Sequence, residues 1–226
     1  MKSSTPARQV LDMARQAERQ LALELPVANA LNVFPVPDGD TGANMLATVR
    51  EALSQTDGAC SLREAVDKLA LGAMLGARGN SGVILSQLFR AQQEVLARRS
   101  PSEALTPADL ARILARASEL ASGAVANPVE GTMLSVLRAA SVPLPPRRER
   151  LGEGTQRASA EFMLAILRAA EAALAATPDQ LPILREAGVV DSGGYGVLAL
   201  LRGWYEALTG QPAPSVTSSL LGVERA

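Results

Sequence analysis

The sequence predicts an all-helical protein of eight helices that run alternately up and down. Alanine, leucine and arginine dominate the 226 residues and runs of β-branched residues are few, which favours helix over strand. Apolar residues recur at spacings of three and four in successive segments, as expected for helices with one buried face. Apolar residues make up 47% of the chain, which is ample for a hydrophobic core.

The helices are expected in chain order between successive start and stop signals. Their predicted ranges are 6–25, 42–55, 62–75, 83–98, 107–125, 133–140, 158–176 with a continuation to 186, and 197–208. The first helix carries Val10 and Met13 on one face, and the second carries Leu46 and Val49. Both are therefore expected to bury one side in a common core.

The third and fifth helices are marked by the residues at their starts. Ser61 is followed three residues later by Glu64, which is a capping-box pattern. Thr106 precedes Pro107, and proline is favoured at the first position of a helix. These two pairs predict where each helix begins.

The fourth, sixth and seventh helices are predicted mainly from apolar spacing and from breaks. Ile84, Leu85 and Leu88 share the inner face of the fourth helix. The sixth helix is expected to stop at the proline cluster of residues 143–146. The polar segment 147–154 that follows is expected to be mobile.

The eighth helix is expected to end the folded domain. Residues 1–209 are predicted to form one domain, and the Pro- and Ser-rich residues 210–226 are predicted to be a flexible tail or a linker.

Composition excludes several classes of protein. The net charge of -1 and the pI near 5.7 argue against a nucleic-acid surface. Cys60 is the only cysteine and there is no histidine, so disulfide frameworks, Ser-His-Asp catalysis and histidine-ligated metals are excluded. Neither Lys2 nor Lys68 follows a glycine-rich loop, so the P-loop signature is missing. No apolar run of transmembrane length and no signal-peptide pattern occur, which predicts a cytoplasmic protein without integral membrane contact.

Four segments rich in glycine and polar residues precede every second helix. They are residues 38–42, 76–82, 127–132 and 191–196. In an up-and-down bundle every second helix starts at the same end. The sequence therefore predicts that all four segments gather on one rim.

The first of these segments carries two carboxylates, Asp38 and Asp40, at the start of a helix. A helix N-terminus favours phosphate, and carboxylates there would repel it unless a cation lies between them. Mg²⁺ commonly uses one or two carboxylates together with substrate phosphates. Asn32 could supply a further oxygen, and Thr41 could supply its hydroxyl or cap the helix. The alternative is a capped turn, since Asp, Gly and Pro are common turn residues.

The other three segments offer donors beside further helix starts. Asn80 and Ser81 lie among closely spaced glycines, which would let the backbone approach an anion, although for this segment alone plain capping is the more common explanation. Thr132 with Gly131 could place a hydroxyl and backbone N–H groups beside a nucleotide. Asp191 could accept a hydrogen bond from a base or sugar.

Four motifs together resemble a known family. They read Asn-Val-Phe-Pro-Val-Pro-Asp-Gly-Asp-Thr-Gly at 32–42, Gly-Ala-Arg-Gly-Asn-Ser-Gly-Val-Ile-Leu-Ser-Gln at 76–87, Pro-Val-Glu-Gly-Thr at 128–132 and Val-Asp-Ser-Gly-Gly at 190–194. The sequence resembles the DhaL-like domain, the ATP-binding domain of the dihydroxyacetone kinases. It is most similar to the N-terminal ATP-binding domain of bacterial fatty acid kinases, over roughly residues 5–208.

This resemblance implies an eight-helix antiparallel barrel that binds ATP at one end through two Mg²⁺ ions. It implies that Asp38 and Asp40 are the catalytic, metal-binding carboxylates, with Asn32 in the place of a third, aspartate ligand of the relatives. The nucleotide contacts that it implies are Thr41, Gly42, Asn44, Gly79, Asn80, Ser81, Gly131, Thr132, Met133, Asp191 and Gly193.

The implied reaction is transfer of the ATP γ-phosphoryl group to a fatty acid carboxylate, which gives an acyl phosphate for phospholipid synthesis. The implied partner is a separate fatty-acid-binding protein that presents the acyl chain, and a homodimer is left open. Two alternatives remain at this stage. One is a dihydroxyacetone-kinase-like phosphotransfer subunit, and the other is a nucleotide-binding regulatory module without turnover of its own.

Overall fold

The computed structural model describes residues 5–99, 105–143 and 156–214, and the regular structure in these ranges is entirely helical. The prediction of an all-α fold is therefore confirmed. The helices of this part of the chain are α1 (Pro6–Ala30), α2 (Thr41–Ser54), α3 (Leu62–Gly76), α4 (Gly79–Leu96), α5 (Pro107–Ala124), α6 (Met133–Ala140), α7 (Gln156–Ala175), α8 (Thr177–Gln180), α9 (Pro182–Ala187) and α10 (Ser192–Thr209).

The longer helices form a closed ring in chain order. Each helix from α1 to α6 packs against the next one along the chain. The last helix, α10, packs against both α7 and α1 and so closes the ring. The contact between α1 and α10 is the most extensive of these. The core inside the ring is almost wholly aliphatic, with Trp204 and Phe162 as its largest buried side chains. Burial of this apolar surface is the main stabilising term of the fold.

The predicted starts of α3 and α5 are confirmed. Ser61 and Glu64 form a complete capping box, in which each side chain accepts from the backbone of the other. Thr106 and Asp109 form a second capping box, and Pro107 occupies the first turn of α5. These side chains accept from N–H groups that have no partner inside the helix.

Three predicted boundaries are wrong. α1 continues through Pro26 to Ala30 rather than ending at residue 25. α4 begins at Gly79 and α10 at Ser192, four and five residues before their predicted starts. The glycines at these two starts suggested loops because glycine disfavours helix interiors, but here they allow helices to approach closely. A Cβ atom on Gly194 would lie only 2.7 Å from Cγ2 of Val136 on α6.

The continuation expected for the seventh helix is replaced by two short helices. Pro178 and Pro182 each lie in the first turn of one of them, α8 and α9. Proline cannot donate the backbone hydrogen bond that a continuous helix needs, so each proline begins a new helix instead.

The described part of the expected tail folds back onto the bundle. Ala213 is buried, and its N–H donates to Oε1 of Glu206 at 3.1 Å. The rest of the expected tail, 215–226, and the segment 147–154 that was expected to be mobile lie outside the described residues. Within the described ranges, no helix combines the length and the apolarity needed to cross a membrane.

Candidate functional site

A cavity of about 370 Å³ opens at the end of the ring where α2, α4, α6 and α10 begin. The structure thus brings all four glycine-polar segments to one place, as the alternating helix directions predict. Of the site residues expected from the sequence, those on the cavity wall are Asn32, Asp38, Asp40, Thr41, Asn44, Gly79, Asn80, Ser81, Thr132, Met133, Asp191 and Gly193.

Gly42 and Gly131, the other two expected nucleotide contacts, do not line the cavity. A Cβ atom on Gly42 would lie 3.0 Å from the Leu25 carbonyl oxygen, so this glycine lets α2 approach α1. Gly131 has a φ of +78°, and its N–H donates to Oγ of Ser135 at 2.9 Å. Both glycines therefore determine the path of the backbone near the cavity but do not form part of its wall.

Asp38 and Asp40 project from a tight turn at the mouth of the cavity. Gly39 between them has a φ of +67°, a conformation that favours glycine. Asp38 is exposed and Asp40 is half-buried. Asp40 stands at the N-cap position of α2, yet its side chain makes no capping hydrogen bond. Among the described residues neither carboxylate has an ion-pair or hydrogen-bond partner, so both are free to bind a cation.

Asn32 lies behind this turn, and both polar atoms of its side chain form hydrogen bonds with the backbone. Its side chain is buried, with Oδ1 accepting from the N–H groups of Asp40 at 3.2 Å and Thr41 at 3.3 Å. Its Nδ2 donates to the carbonyl of Val36 at 3.1 Å and to that of Phe34 at 3.5 Å. Both lone pairs of Oδ1 are therefore occupied. This geometry does not support the expectation that Asn32 is a metal ligand.

The possible metal ligands at this end of the ring fit a magnesium ion that is shared with a nucleotide better than a metal ion held by protein side chains alone. Within the described ranges no group of three or more acidic, histidine or cysteine side chains could enclose a metal. Asp38 and Asp40 supply two carboxylates on the cavity wall. Mg²⁺ is commonly bound by one or two carboxylates, substrate phosphates and water, so two carboxylates suffice if a phosphate is present.

The N-terminus of α4 offers the anion-binding counterpart. Its N-cap residue is Arg78, and none of the side chains that the structure describes caps the helix. Asn80 and Ser81 lie in the first turn and line the cavity, so the interpretation that they merely cap the helix is wrong. By contrast, a side chain caps each of α1, α3 and α5. Uncapped N–H groups and the helix dipole together attract phosphate.

Asp191 is a structural carboxylate rather than an exposed one. It is 4% exposed, caps α10 and accepts from the N–H of Gly194 at 2.7 Å. Burial raises the pKa of Asp191 to about 6, although accepted hydrogen bonds from the backbone of Gly194, Met133 and Gly193 oppose the shift. Because Met133 begins α6, this side chain ties the starts of two helices together. Asp191 also lines the cavity, and its contact with a base or sugar stays a prediction.

Hydroxyl and amide groups join the remaining helix starts. Oγ of buried Ser192 donates to Oγ1 of Thr41 at 3.2 Å, which links α10 to α2. Thr132 does not cap α6, and its hydroxyl donates to the Val129 carbonyl at 2.7 Å. Asn44 is half-buried and lies beside Gly79 at the start of α4.

Sequence reasoning missed much of the cavity wall. The additional lining residues are mostly apolar: Phe34, Pro35, Val36, Ile84, Val125, Asn127, Val129, Leu134 and Ser192. Phe34, Pro35 and Val36 lie inside the first motif, so their position beside the carboxylates could have marked them. Val125 could not be found in this way, because an apolar residue at a helix end normally indicates the core.

An all-helical ring with free carboxylates and an uncapped helix start in one cavity defines a candidate cation- and phosphate-binding domain. Residues 35–206 match the family model of the DAK2 domain, which is more than half of the chain. The chain belongs to the DAK2 domain family. This domain is part of the dihydroxyacetone kinase family, which suggests nucleotide binding and a kinase-like function.

Curated relatives extend well beyond the region that they share with this chain. "Protein YloV" of Bacillus subtilis is 38% identical over 211 residues, which cover 90% of this chain and 36% of the relative. An uncharacterized protein of Staphylococcus saprophyticus, SSP1546, is 37% identical over 202 residues, covering 88% of this chain and 35% of the relative. The chain thus spans about a third of the length of these relatives.

Proposed function

We propose that this chain is the ATP-binding, Mg²⁺-dependent phosphoryl-transfer domain of a fatty acid kinase. Its substrate would be a fatty acid held by a separate binding protein, and its product an acyl phosphate. The observation that carries the proposal is the placement of Asp38 and Asp40, two carboxylates with no partner in the described part of the chain, in the same cavity as the uncapped start of α4. The family match supports the nucleotide, and the resemblance of the first two motifs supports the acyl acceptor.

The residues divide between the two ends of a triphosphate–metal complex. Asp38 and Asp40 would hold Mg²⁺, whose charge would neutralise the phosphate oxygens when it is bound. The backbone N–H groups of the first turn of α4, with the side chains of Asn80 and Ser81, would bind phosphate oxygens. The apolar wall would exclude water from the reacting groups.

The proposed reaction needs no general base. A carboxylate oxygen of the fatty acid attacks the γ-phosphorus, the bond from phosphorus to the bridging oxygen breaks, and ADP leaves with the electron pair. A fatty acid carboxyl is already ionised near pH 7, so no proton has to be removed. Phosphoryl transfer depends mainly on positioning and charge stabilisation. The absence of histidine from the sequence is therefore compatible with this chemistry.

Two other functions each have an observation in their favour. A dihydroxyacetone-kinase-like subunit is favoured by the family match itself. A nucleotide-binding module without turnover is favoured by the cavity itself, whose described residues offer ligands for a cation and phosphate and point to no particular acceptor. The phosphoryl acceptor separates the three proposals.

Turnover with defined acceptors tests the proposal. The protein is incubated with radiolabelled ATP, Mg²⁺ and a fatty acid loaded on a bacterial fatty-acid-binding protein, and in parallel with dihydroxyacetone. We expect acyl phosphate in the first reaction, and its loss in Asp38→Asn and Asp40→Asn. Asp12→Asn is the matched control, because the ion pairs of Asp12 within the described ranges are with surface arginines of α1, far along the chain from the cavity residues. Label transfer to dihydroxyacetone alone, or to neither acceptor, would refute the fatty acid kinase.

A further inference from the structure

The start of α2 is capped in an unusual way. Aspartate at the N-cap position normally accepts from the backbone N–H two or three residues further on. Asp40 occupies that position in α2, and the third residue after it is Ala43. The N–H of Ala43 instead donates to Oδ1 of Asn29, at 3.2 Å. The usual bond of the cap residue has been taken by a side chain of the preceding helix.

A second asparagine satisfies two more N–H groups at this end. Asn32 accepts from the N–H groups of Asp40 and Thr41, at 3.2 Å and 3.3 Å. Its amide also holds the opposite side of the turn, through the carbonyl of Val36 at 3.1 Å. The N–H groups of Asp40, Thr41 and Ala43 are thus held by the two asparagines, and the Ala43 N–H is one of the two donors that an N-cap aspartate normally uses.

We propose that Asn29 and Asn32 are positioning residues for the cation site: they cap α2 in place of Asp40 and so leave its carboxylate directed to a divalent cation. This inference rests on the proposed magnesium–nucleotide site and replaces the expectation that Asn32 is itself a ligand. The extension of α1 through Pro26 to Ala30 is what carries Asn29 to this place. Gly42 allows the approach, since a Cβ atom there would lie 2.9 Å from Oδ1 of Asn29.

Removal of Asn29 tests the exchange of caps. In Asn29→Ala the N–H of Ala43 loses its acceptor, and Asp40 is the nearest residue of the right type to replace it. We expect a crystal structure of the variant to show the Asp40 carboxylate within hydrogen-bonding distance of the Ala43 nitrogen. We also expect the Mg²⁺-dependent affinity for a non-hydrolysable ATP analogue to fall about 10- to 100-fold, as for other residues that orient metal ligands.

Replacement of Asn32 separates positioning from ligation. Asn32→Asp places a third carboxylate on the wall of the cavity that holds Asp38 and Asp40, so ligation predicts tighter Mg²⁺-dependent binding. A carboxylate cannot donate to the carbonyls of Val36 and Phe34, and its second oxygen would repel them. Positioning therefore predicts weaker binding, again by about 10- to 100-fold.

Thr5→Ala is the matched control for the loss of one capping bond. The hydroxyl of Thr5 accepts from the N–H of Arg8, the third residue of α1, at 3.3 Å, which is the equivalent bond at a helix start away from the cavity. We expect Thr5→Ala to lower stability toward urea without changing nucleotide affinity. Asn29→Ala should be less destabilised than this control, because Asp40 replaces the lost cap.

Two results would overturn the inference. One is an Asp40 carboxylate that keeps its place in the Asn29→Ala structure, and the other is tighter Mg²⁺-dependent binding in Asn32→Asp. The structure of the variant needs no ligand, so it decides the exchange of caps even if the wild-type protein binds no nucleotide. A wild-type protein that binds no nucleotide would refute the proposed function but not the exchange of caps.

Discussion

The buried carboxyl of Asp191 makes the stability of this protein depend on pH in a window where little else titrates. Burial raises its pKa from 3.8 to about 6. The chain contains no histidine, the residue that usually titrates between pH 5 and 8. The pKa of Glu64, Glu94 and Glu130 is lowered by accepted hydrogen bonds, so their contribution to stability is lost only at lower pH.

The sign and size of the effect follow from linkage. A carboxyl with a higher pKa in the folded state binds its proton more tightly there, so folding is favoured at low pH and stability is lost as pH rises towards and through 6. The full difference corresponds to about 3 kcal/mol, of which about 1 kcal/mol falls between pH 5 and pH 7. We therefore expect the free energy of unfolding to be about 1 kcal/mol lower at pH 7 than at pH 5.

Urea unfolding of ligand-free protein at the two pH values measures this difference. Asp191→Asn removes the titration but keeps a side chain that can cap α10. The variant should therefore unfold with the same free energy at both pH values, whereas the exposed control Asp179→Asn should keep the wild-type difference. A wild-type protein that is equally stable at pH 5 and pH 7, or an Asp191→Asn variant that retains the difference, would show that Asp191 does not titrate near pH 6.

Two further substitutions test the packing and the caps. Gly194→Ala should destabilise the protein by about 1–3 kcal/mol in urea unfolding, because the new methyl would lie 2.7 Å from Val136 and 3.2 Å from Leu174. An unchanged unfolding midpoint would show that α6 and α10 can move apart at little cost. Ser61→Ala should lower the free energy of unfolding by about 1 kcal/mol, since the N–H of Glu64 loses its acceptor. No loss there would mean that solvent replaces the capping box fully.

The order of the helices and the gathering of the four segments could be predicted because each depends on local pattern. Apolar spacing and capping residues are written in neighbouring positions, as at Ser61 and Thr106. The rim followed from helix parity alone, without any knowledge of side-chain contacts. These parts of the account needed no tertiary information.

The errors arose where tertiary packing decides what a local signal means. The first helix is predicted to end at residue 25, but α1 continues through Pro26 and brings Asn29 to the site. Gly194 indicated a loop, but its missing side chain allows two helices to meet. Likewise Asn32 looked like a ligand because it lies near two aspartates, and only the positions of four backbone groups reveal that its amide is fully used.

Calorimetric titration of a non-hydrolysable ATP analogue, with and without Mg²⁺, shows whether the cavity is a magnesium–nucleotide site. We expect binding that requires Mg²⁺ and that disappears in Asp38→Asn and Asp40→Asn, while the control Asp12→Asn binds like the wild type. Circular dichroism should show unchanged helicity in all three variants, since neither site carboxylate has a partner among the described residues. Binding that is independent of Mg²⁺, or that survives loss of both carboxylates, would contradict the claim that this cavity is a magnesium–nucleotide site.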